Sequence, residues 1–583
     1  MWTARTSALL LDGFLFFVVS VQKASGFVAI PPKPLRGARR GKACIATFLS
    51  EHSVTTDAVD SQGASGKCWE SEAIRWIDDV LDQKSKQSPF AIEEPGDDNT
   101  PIVPFEWVVG GPDDRGDSPG SSPIRNKKVA LRTIGATPLL DAESIASIRN
   151  AAENLWDGRG SSGPTSRFTL QFENTNSECH LDELVESNAA LKEVVDNLLT
   201  TKVYPLARSA FGDSGGGGQR LTDGRLCVYD SLVVRYDGNK ATDRFEASQP
   251  LHRDGGVVSV NIALNSHDVA KETRRADRFT GGGTFFEDLM GREPNEHQSE
   301  NENEASGGDA SPVLRPLAAG HALAHWSTKR HAGAPTTSGT RDILVFFLTQ
   351  RKATETAAAG AVPKSAFSGI ERSFHLKLKA QEIPGGLALR CLDLAMEETP
   401  FDGQAHFLKG FHLMRGGTTP KDGRGNTTED EEQRWRELQQ SVFHLVRAAE
   451  YAPFDARIQC HLGMAYRQRW MFAKRTNRTR DITGSDSSEN GEQRELCKAT
   501  ESLRRALFLH DRYQRHGIAS DFDDNVLVAR LTLGEVLAQL ERYSDAIQCL
   551  SKIESHSLDA DKPKDKAMAQ HIAAVVAHCI EQE

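Results

Sequence analysis

The sequence predicts an α+β domain followed by an all-α helical repeat domain. Two observations carry this. Within residues 128–352 helical periodicity comes first and a run of strand-like segments follows, the order expected when helices buttress a sheet or barrel. From about residue 386 onward the strand pattern stops, and small and apolar residues recur at fixed helical offsets. At 583 residues the chain is too long for one core, so two or three domains are expected.

Residues 1–52 read as a targeting presequence. "MWTARTSALLLDGFLFFVVSVQKASGF" has a basic start, an apolar run of signal-peptide length and small residues before Phe27. Its apolar run is short and broken by Asp12, which predicts no stable membrane span. The following "VAIPPKPLRGARRGKACIATFLS" holds five basic residues and no acid. Joined at "ASGF", the pair resembles the bipartite presequence of algae with complex plastids, which implies a plastid. The alternative is a secretory signal leading to the endoplasmic reticulum lumen. Residues 53–127 are polar and rich in Gly, Pro and Asp, as in "GGPDDRGDSPGSSP". They are expected to be a linker with one short helix near "SEAIRWIDDVLDQ".

In residues 128–352, "DAESIASIRNAAENLW" and "LDELVESNAALKEVVDNLLTTKVYPLARSAFG" have helical periodicity. "RFTLQF", "RLCVYDSLVVRY", "VVSVNIAL", "GGTFF", "HALAHW" and "RDILVFFL" are strand-like, being short, β-branched or aromatic, and bounded by turn residues. "SGGGG" at 214–218 precedes neither a helix start nor a lysine, so it reads as a loop rather than a phosphate cradle. Residues 353–385 are expected to be a second linker. In residues 386–583, Ala388, Leu392, Ala395 and Pro400 share their spacing with Ser441, Leu445, Ala448 and Pro453. Leu533, Gly534, Leu537, Tyr543, Ala546, Leu550 and Ile553 stand at tetratricopeptide spacing. Such units bury their faces only by stacking, and about four are expected, with two long insertions.

Composition narrows the function. The net charge is −11, and residues 287–310 contribute most of it through eight acidic residues against one arginine. No basic patch or stripe is present, which argues against a nucleic-acid footprint. Nine scattered cysteines, none in a C-x-x-C, argue against a disulfide framework or a zinc ribbon.

The chemistry concentrates in two stretches. "PLHRDGGVVSVNIALN" (250–265) places His252 and Asp254 two apart at the start of an apolar strand, so both side chains aim at one side. "GHALAHWSTKRHAGAPTTSGTRDILVFFL" (320–348) adds His331 before a turn and Arg341 ten residues on, in an apolar strand. Two histidines and one carboxylate on one face of an octahedral metal leave positions open, as in non-haem Fe(II) oxygenases. A guanidinium in an apolar strand needs an anionic partner, and its planar fork fits a carboxylate. A catalytic zinc on the same ligands would leave Arg341 unexplained. Of the remaining histidines, His325 reads as a strand-edge residue, with a supporting place behind the metal ligands as the alternative, and His321 and His267 read as turn residues.

Over most of residues 130–350 the chain resembles the prolyl 4-hydroxylase-like 2-oxoglutarate- and Fe(II)-dependent dioxygenases. The resemblance rests on "TSRFTLQF", "LVVRYDG", "HRD", "VSVNIALN", "GGGTFF" and "RHAGAPTTSGTRDILVFF" falling in the family's order. It implies a double-stranded β-helix, a jelly-roll barrel with iron at its mouth. It also implies His252, Asp254 and His331 as metal ligands, Arg341 as anchor for the distal carboxylate of 2-oxoglutarate, and Tyr236 as a hydrogen-bond partner of that co-substrate. The implied reaction uses dioxygen to couple decarboxylation of 2-oxoglutarate, to succinate and CO2, with hydroxylation of a substrate C–H bond, one oxygen atom going to each product, and L-ascorbate rescues uncoupled iron. The expected substrate is a peptidyl proline. Arginine at 341 instead of the lysine usual in prolyl 4-hydroxylases, and the "GAPTTSGTR" that surrounds it, lie closer to the lysyl hydroxylase pattern. The same residues are also compatible with a small-molecule oxygenase, or with an inactive barrel on a tetratricopeptide scaffold. A halogenase, which replaces the carboxylate by a small residue, is disfavoured by Asp254. Animal collagen prolyl hydroxylases also carry a tetratricopeptide module, on the N-terminal side. The repeats here are therefore expected to hold a protein or peptide substrate or partner, unless they only brace the barrel.

Overall fold

The structure is a computed structural model whose described residues run from 69 to 583. Outside them lie residues 1–68 and, among the longer intervals, 94–105, 110–130, 160–177, 213–220, 241–246, 268–277, 292–311, 352–366, 417–427, 479–488 and 554–561. The presequence, the "RFTLQF" strand, the "SGGGG" loop and most of the acidic segment therefore fall outside the described residues. The chain divides into compact units Met1–Val80 and Leu81–Glu583, and all that follows concerns the second.

Its strands are β1 (Glu106–Val109), β2 (Leu131–Thr133), β3 (Glu178–His180), β4 (Arg225–Asp237), β5 (Gln249–His252), β6 (Val258–Ala263) and β7 (Ser266–His267). They continue with β8 (Arg278–Gly281), β9 (Thr284–Phe286), β10 (Val313–Leu314), β11 (Ala322–Trp326), β12 (His331–Gly333), β13 (Thr336–Ser338) and β14 (Thr340–Arg351). A seven-stranded sheet has the order β1-β2-β11-β6-β14-β4-β3 and a four-stranded sheet the order β10-β9-β12-β5, both antiparallel. A third, three-stranded sheet has the order β13-β8-β7.

Period-two alternation gives the large sheet two unlike faces. Val258, Val260 and Ile262 of β6 and Leu344, Phe346 and Leu348 of β14 enter a core with helices α1 (Ala142–Arg159), α2 (Leu181–Glu186), α3 (Ala189–Leu198) and α4 (Tyr204–Phe211). Ile148, Leu184, Val195 and Phe211 complete that core. Each fully buried side chain of this size contributes ~1.5–3 kcal/mol relative to exposure. Ile343, Val345 and Phe347 pack on the opposite face with Leu232, Val234 and Tyr236 of β4. The four-stranded sheet closes over that face, where Phe286 of β9 meets Leu323 of β11.

Nine further helices among the described residues form an array in which each packs on the next. They are α5 (Gly369–Glu382), α6 (Gly385–Glu398), α7 (Gly403–Met414), α8 (Thr428–Tyr451), α9 (Ala456–Arg475), α10 (Glu489–Arg515), α11 (Val526–Gln539), α12 (Tyr543–Ser551) and α13 (Pro563–Gln582). One packing plan recurs. A Cβ added at Gly410 of α7 would lie 2.7 Å from Leu445 Cγ of α8, and one at Gly463 of α9 would lie 2.6 Å from Leu503 Cγ of α10. The same addition at Gly534 of α11 would lie 2.5 Å from Leu550 Cδ2 of α12. Of the spacing read from sequence, Ala388-Leu392-Ala395 and Ser441-Leu445-Ala448 are buried while Pro400 and Pro453 are exposed, and Ala499-Leu503-Ala506 of α10 repeats the buried set. No helix among the described residues is long and apolar enough to cross a membrane.

Three sequence expectations need correction. The expected linker at 353–385 contains α5, started by Ser368, whose side chain accepts from the Glu371 amide. Periodicity missed it because its buried face carries Glu371, Ser373 and Lys377. The expected linker at 53–127 supplies edge strand β1 and also docks on the large sheet and its helices. There Glu93 N donates to Leu226 O at 2.9 Å, Arg208 Nε to Glu93 at 2.9 Å, and Phe90 is buried in the main core. His267, expected in a turn, pairs within β7, with its ring edge-on to Phe279.

Candidate metal centre

His252 closes β5 and His331 opens β12, and the antiparallel register makes them direct cross-strand partners. Their ring centroids are 4.4 Å apart. Asp254 follows in the turn from β5 to β6. Gly256 in that turn has φ 85°, and a Cβ there would lie 2.6 Å from Leu348 O, so glycine lets the chain reverse this close to β14. Asp254 Oδ1 lies 3.3 Å from His252 Nε2 and its Oδ2 lies 3.4 Å from His331 Nε2. One donor atom from each of the three residues falls within 4.8 Å of the others.

Both histidines are oriented from behind. His252 Nδ1 is 2.7 Å from Pro250 O, and His331 Nδ1 is 3.0 Å from Lys329 O. A carbonyl can only accept, so this geometry assigns the proton to Nδ1 and turns each Nε2 lone pair toward Asp254, the arrangement that orients metal-ligating histidines. Burial pushes His331 down to about 3, against the opposing pull of Asp254. Burial acts the same way on His252, but the adjacent Asp254 outweighs it and raises that ring. Asp254 is itself buried, which opposes ionisation, yet the surrounding histidines hold its carboxyl below the usual range. An ionised carboxylate and an Nε2 lone pair of neutral His331 are the forms that ligate a metal.

Arg341 lies on the same inner face, on β14 opposite Tyr236 of β4. It is 4% exposed, donates to Gly283 O at 3.0 Å and stands 5.0 Å over the Tyr236 ring. Gly282, at φ 65°, brings that turn in so closely that a Cβ would meet Arg341 Cδ at 2.8 Å. Arg341 borders a small cavity with Asn261, Phe279, Gly283, Thr284 and Ile343. The Tyr236 hydroxyl donates to Gln249 Oε1 at 3.0 Å. Burial pushes its phenol up to about 12, partly offset by Arg341, so it stays a donor at neutral pH.

Sequence reasoning missed several participants. His325, expected at a strand edge, sits on interior strand β11, fully buried, with its ring 4.5 Å from His331 and Nε2 3.9 Å from Asp254 Oδ2. Alternation on β11 puts it beside Leu323 on the inner face. Ser259 Oγ donates to Asp254 Oδ2 at 2.6 Å and meets Ser327 Oγ at 2.9 Å. One step further on the same face of β6, roughly 7 Å on by strand geometry, Asn261 lines the Arg341 cavity. The signal was present: Ser259 and Asn261 are polar at alternate positions of an otherwise apolar strand. His321 lies in the turn before β11.

No family model and no curated protein matches the chain. Solved structures to which it is similar include AviO1 of Streptomyces viridochromogenes Tue57, at 19% identity over 40% of this chain and 93% of that one, with a TM-score of 0.23. A 2OG-Fe(II) oxygenase family oxidoreductase of Burkholderia pseudomallei matches at 17% identity over 38% and 84%, TM-score 0.22. SnoK, a non-heme alpha ketoglutarate dependent carbocyclase from nogalamycin biosynthesis, matches at 14% over 41% and 89%, TM-score 0.24. Likeness of this size assigns neither fold nor activity.

Proposed function

We propose that the chain is a 2-oxoglutarate- and Fe(II)-dependent dioxygenase. The observation that carries this reading is the convergence of His252, Asp254 and His331 on the inner face that also bears the buried Arg341. Two imidazoles and one carboxylate are the donor set of non-haem Fe(II) oxygenases, and the Nδ1 anchors fit the histidines for a metal. Held by these three residues, Fe(II) would supply the reaction of 2-oxoglutarate and dioxygen with a substrate C–H bond, in which one oxygen atom enters succinate as CO2 leaves and the other enters the substrate as a hydroxyl. Arg341 receives the distal carboxylate of 2-oxoglutarate in the cavity beside Asn261. Tyr236 flanks that cavity, its ring supporting the guanidinium and its hydroxyl fixed by Gln249. Ser259 and His325 hold Asp254 in place. The two sheets closing over one another fit a double-stranded β-helix, and the recurring glycine–leucine contacts fit tetratricopeptide-like repeats.

The proposed substrate is a peptidyl residue, proline first, with L-ascorbate as the reductant that restores uncoupled iron. Lysine is the second reading, favoured by arginine at 341. The array is proposed to hold the polypeptide, because it lies against the strand that carries His252. The test incubates the full chain with Fe(II), 2-oxoglutarate, ascorbate and a proline- and lysine-containing peptide library. Succinate release with one added oxygen on a proline peptide is expected. Oxidation of lysine peptides alone would replace proline by lysine, and the absence of 2-oxoglutarate-dependent succinate under every condition would overturn the reading.

A further inference from the structure

The strands that carry the metal ligands are gripped from outside the barrel by the helical array. Among the described residues β5, which ends in His252, is the edge of its sheet and pairs with β12 alone. Edge strands leave a row of backbone groups unpaired. Here the loop between α10 and α11 takes one of them, as Leu251 N donates to Ala519 O at 3.0 Å.

Side chains continue the grip at residues adjacent to each ligand. Arg253 stands between His252 and Asp254, and Arg330 directly before His331. Glu287 directly follows Phe286, the cross-strand partner of His331 on β9. Arg330 lies 2.5 Å from Glu287 and 3.3 Å from Asp455 at the start of α9, and its second terminal nitrogen lies 2.5 Å from Asp521. Tyr513 of α10 donates to Glu287 at 2.6 Å, and Arg457 of α9 pairs with Asp455 at 2.7 Å. Arg253 donates to Thr328 O and to Gln404 of α7, both at 3.1 Å. The side chains of Arg330, Glu287 and Asp455 are 3%, 2% and 0% exposed, so this is not a surface ion pair that water would screen. Three arginines and three carboxylates balance, and Asp455, Asp521, Tyr513 and Gln404 of the array reach Arg330, Glu287 or Arg253 beside the ligand strands, while Arg457 holds Asp455 and Asp521 within the array.

We propose that the helical array positions the metal centre: Asp455 and Tyr513, acting through Arg330, Glu287 and Arg253, hold β5 and β12 so that His252, Asp254 and His331 converge. This rests on the metal reading above. Asp455 and Tyr513 are positioning residues and touch none of the ligands. An array that only recruited substrate would not need buried charges shared with the ligand strands. Outer contacts that orient metal ligands are worth about 10–100-fold in metal affinity, which sets the effect to look for.

The test uses the full chain with Co(II) as probe, reading its visible d–d absorption and its dissociation constant alongside far-UV circular dichroism. Asp455 also caps α9 by accepting from the Arg457 amide at 3.0 Å, and asparagine caps as well, so Asp455→Asn removes charge without removing the cap. It is expected to weaken Co(II) binding by about 10–100-fold and to change the d–d spectrum, with helix content retained. Tyr513→Phe, which removes one hydroxyl, is expected to act in the same direction by several-fold, and it decides the matter if Asp455→Asn does not fold. Glu495→Gln is the control, because Glu495 is equally buried and pairs with Arg469 within the array. Unchanged Co(II) affinity and spectrum in Asp455→Asn and Tyr513→Phe, or an equal loss in Glu495→Gln, would overturn the proposal. Asp254→Ala separates the two readings: unaltered Co(II) binding in that variant would sink the metal assignment itself.

Discussion

The barrel strands and the array helices bury side chains to different ends. On β6, Val258, Val260 and Ile262 serve the core, while Ser259 and Asn261 on the opposite face serve Asp254 and the Arg341 cavity. One strand thus carries stability on one side and chemistry on the other, because period two separates them. In the array the recurring positions are Gly410, Gly463 and Gly534 against Leu445, Leu503 and Leu550. Those residues can only set how closely two helices approach. Substitution on the inner face of the barrel should therefore cost function before stability, and substitution at the array glycines should do the reverse.

The largest effect should come from the triad. His331→Ala removes one of three donors and leaves its small neighbour Ala332 in place. Fe(II) binding and 2-oxoglutarate turnover should be lost while the circular dichroism of the chain is retained. Near-native turnover in this variant would erase the contrast at its strongest point.

Next is Arg341→Ala. Losing one partner of a buried, hydrogen-bonded ion pair costs about 3–5 kcal/mol, a few hundredfold or more. The apparent KM for 2-oxoglutarate should rise by that factor, with metal affinity little changed. An unchanged KM would remove Arg341 from co-substrate binding.

The array counterpart is Gly463→Val. Its Cβ alone would lie 2.6 Å from Leu503 Cγ, and overpacking of this kind costs about 1–3 kcal/mol. Urea unfolding should shift by that amount, with Co(II) affinity of the folded chain unaltered. A variant as stable as the parent would show that the helices adjust freely.

The smallest effect per residue is shared by both regions. Burial pushes His331 and His444 down to about 3 and His461 down to about 4. The unfolded chain binds these protons near pH 6.5 and the folded chain only well below it, so stability falls as pH drops from about 6.5 toward 4. Each group contributes on the order of 1 kcal/mol per pH unit in that window. Metal-free melting curves at pH 7 and pH 5 should differ accordingly. In His331→Ala the barrel's share of the shift should vanish and the array's share remain. An acid shift of the same size in parent and variant would remove His331 from the balance.

Local pattern determined much of this protein from sequence alone. Spacing of two singled out His252 and Asp254, although β5 ends at His252 and the turn rather than strand alternation brings Asp254 beside it. Strand-like runs marked β4, β6, β11 and β14, and offsets of four and three placed the buried positions of α6 and α8. Each of these depends on a short pattern within one stretch, so a single sequence can display it. What surrounds the triad was decided by tertiary structure. His325 reaches Asp254 because β11 lies inside the large sheet, and α5 went unseen because its inward face is charged. Arg330, Glu287, Asp455 and Tyr513 meet only after barrel and array have folded against one another. Polar contacts across 125 and 226 residues of chain, between Arg330 and Asp455 and between Glu287 and Tyr513, have no period. Their partners are chosen by charge and burial at a docked surface, and that surface is not written in any one stretch of sequence.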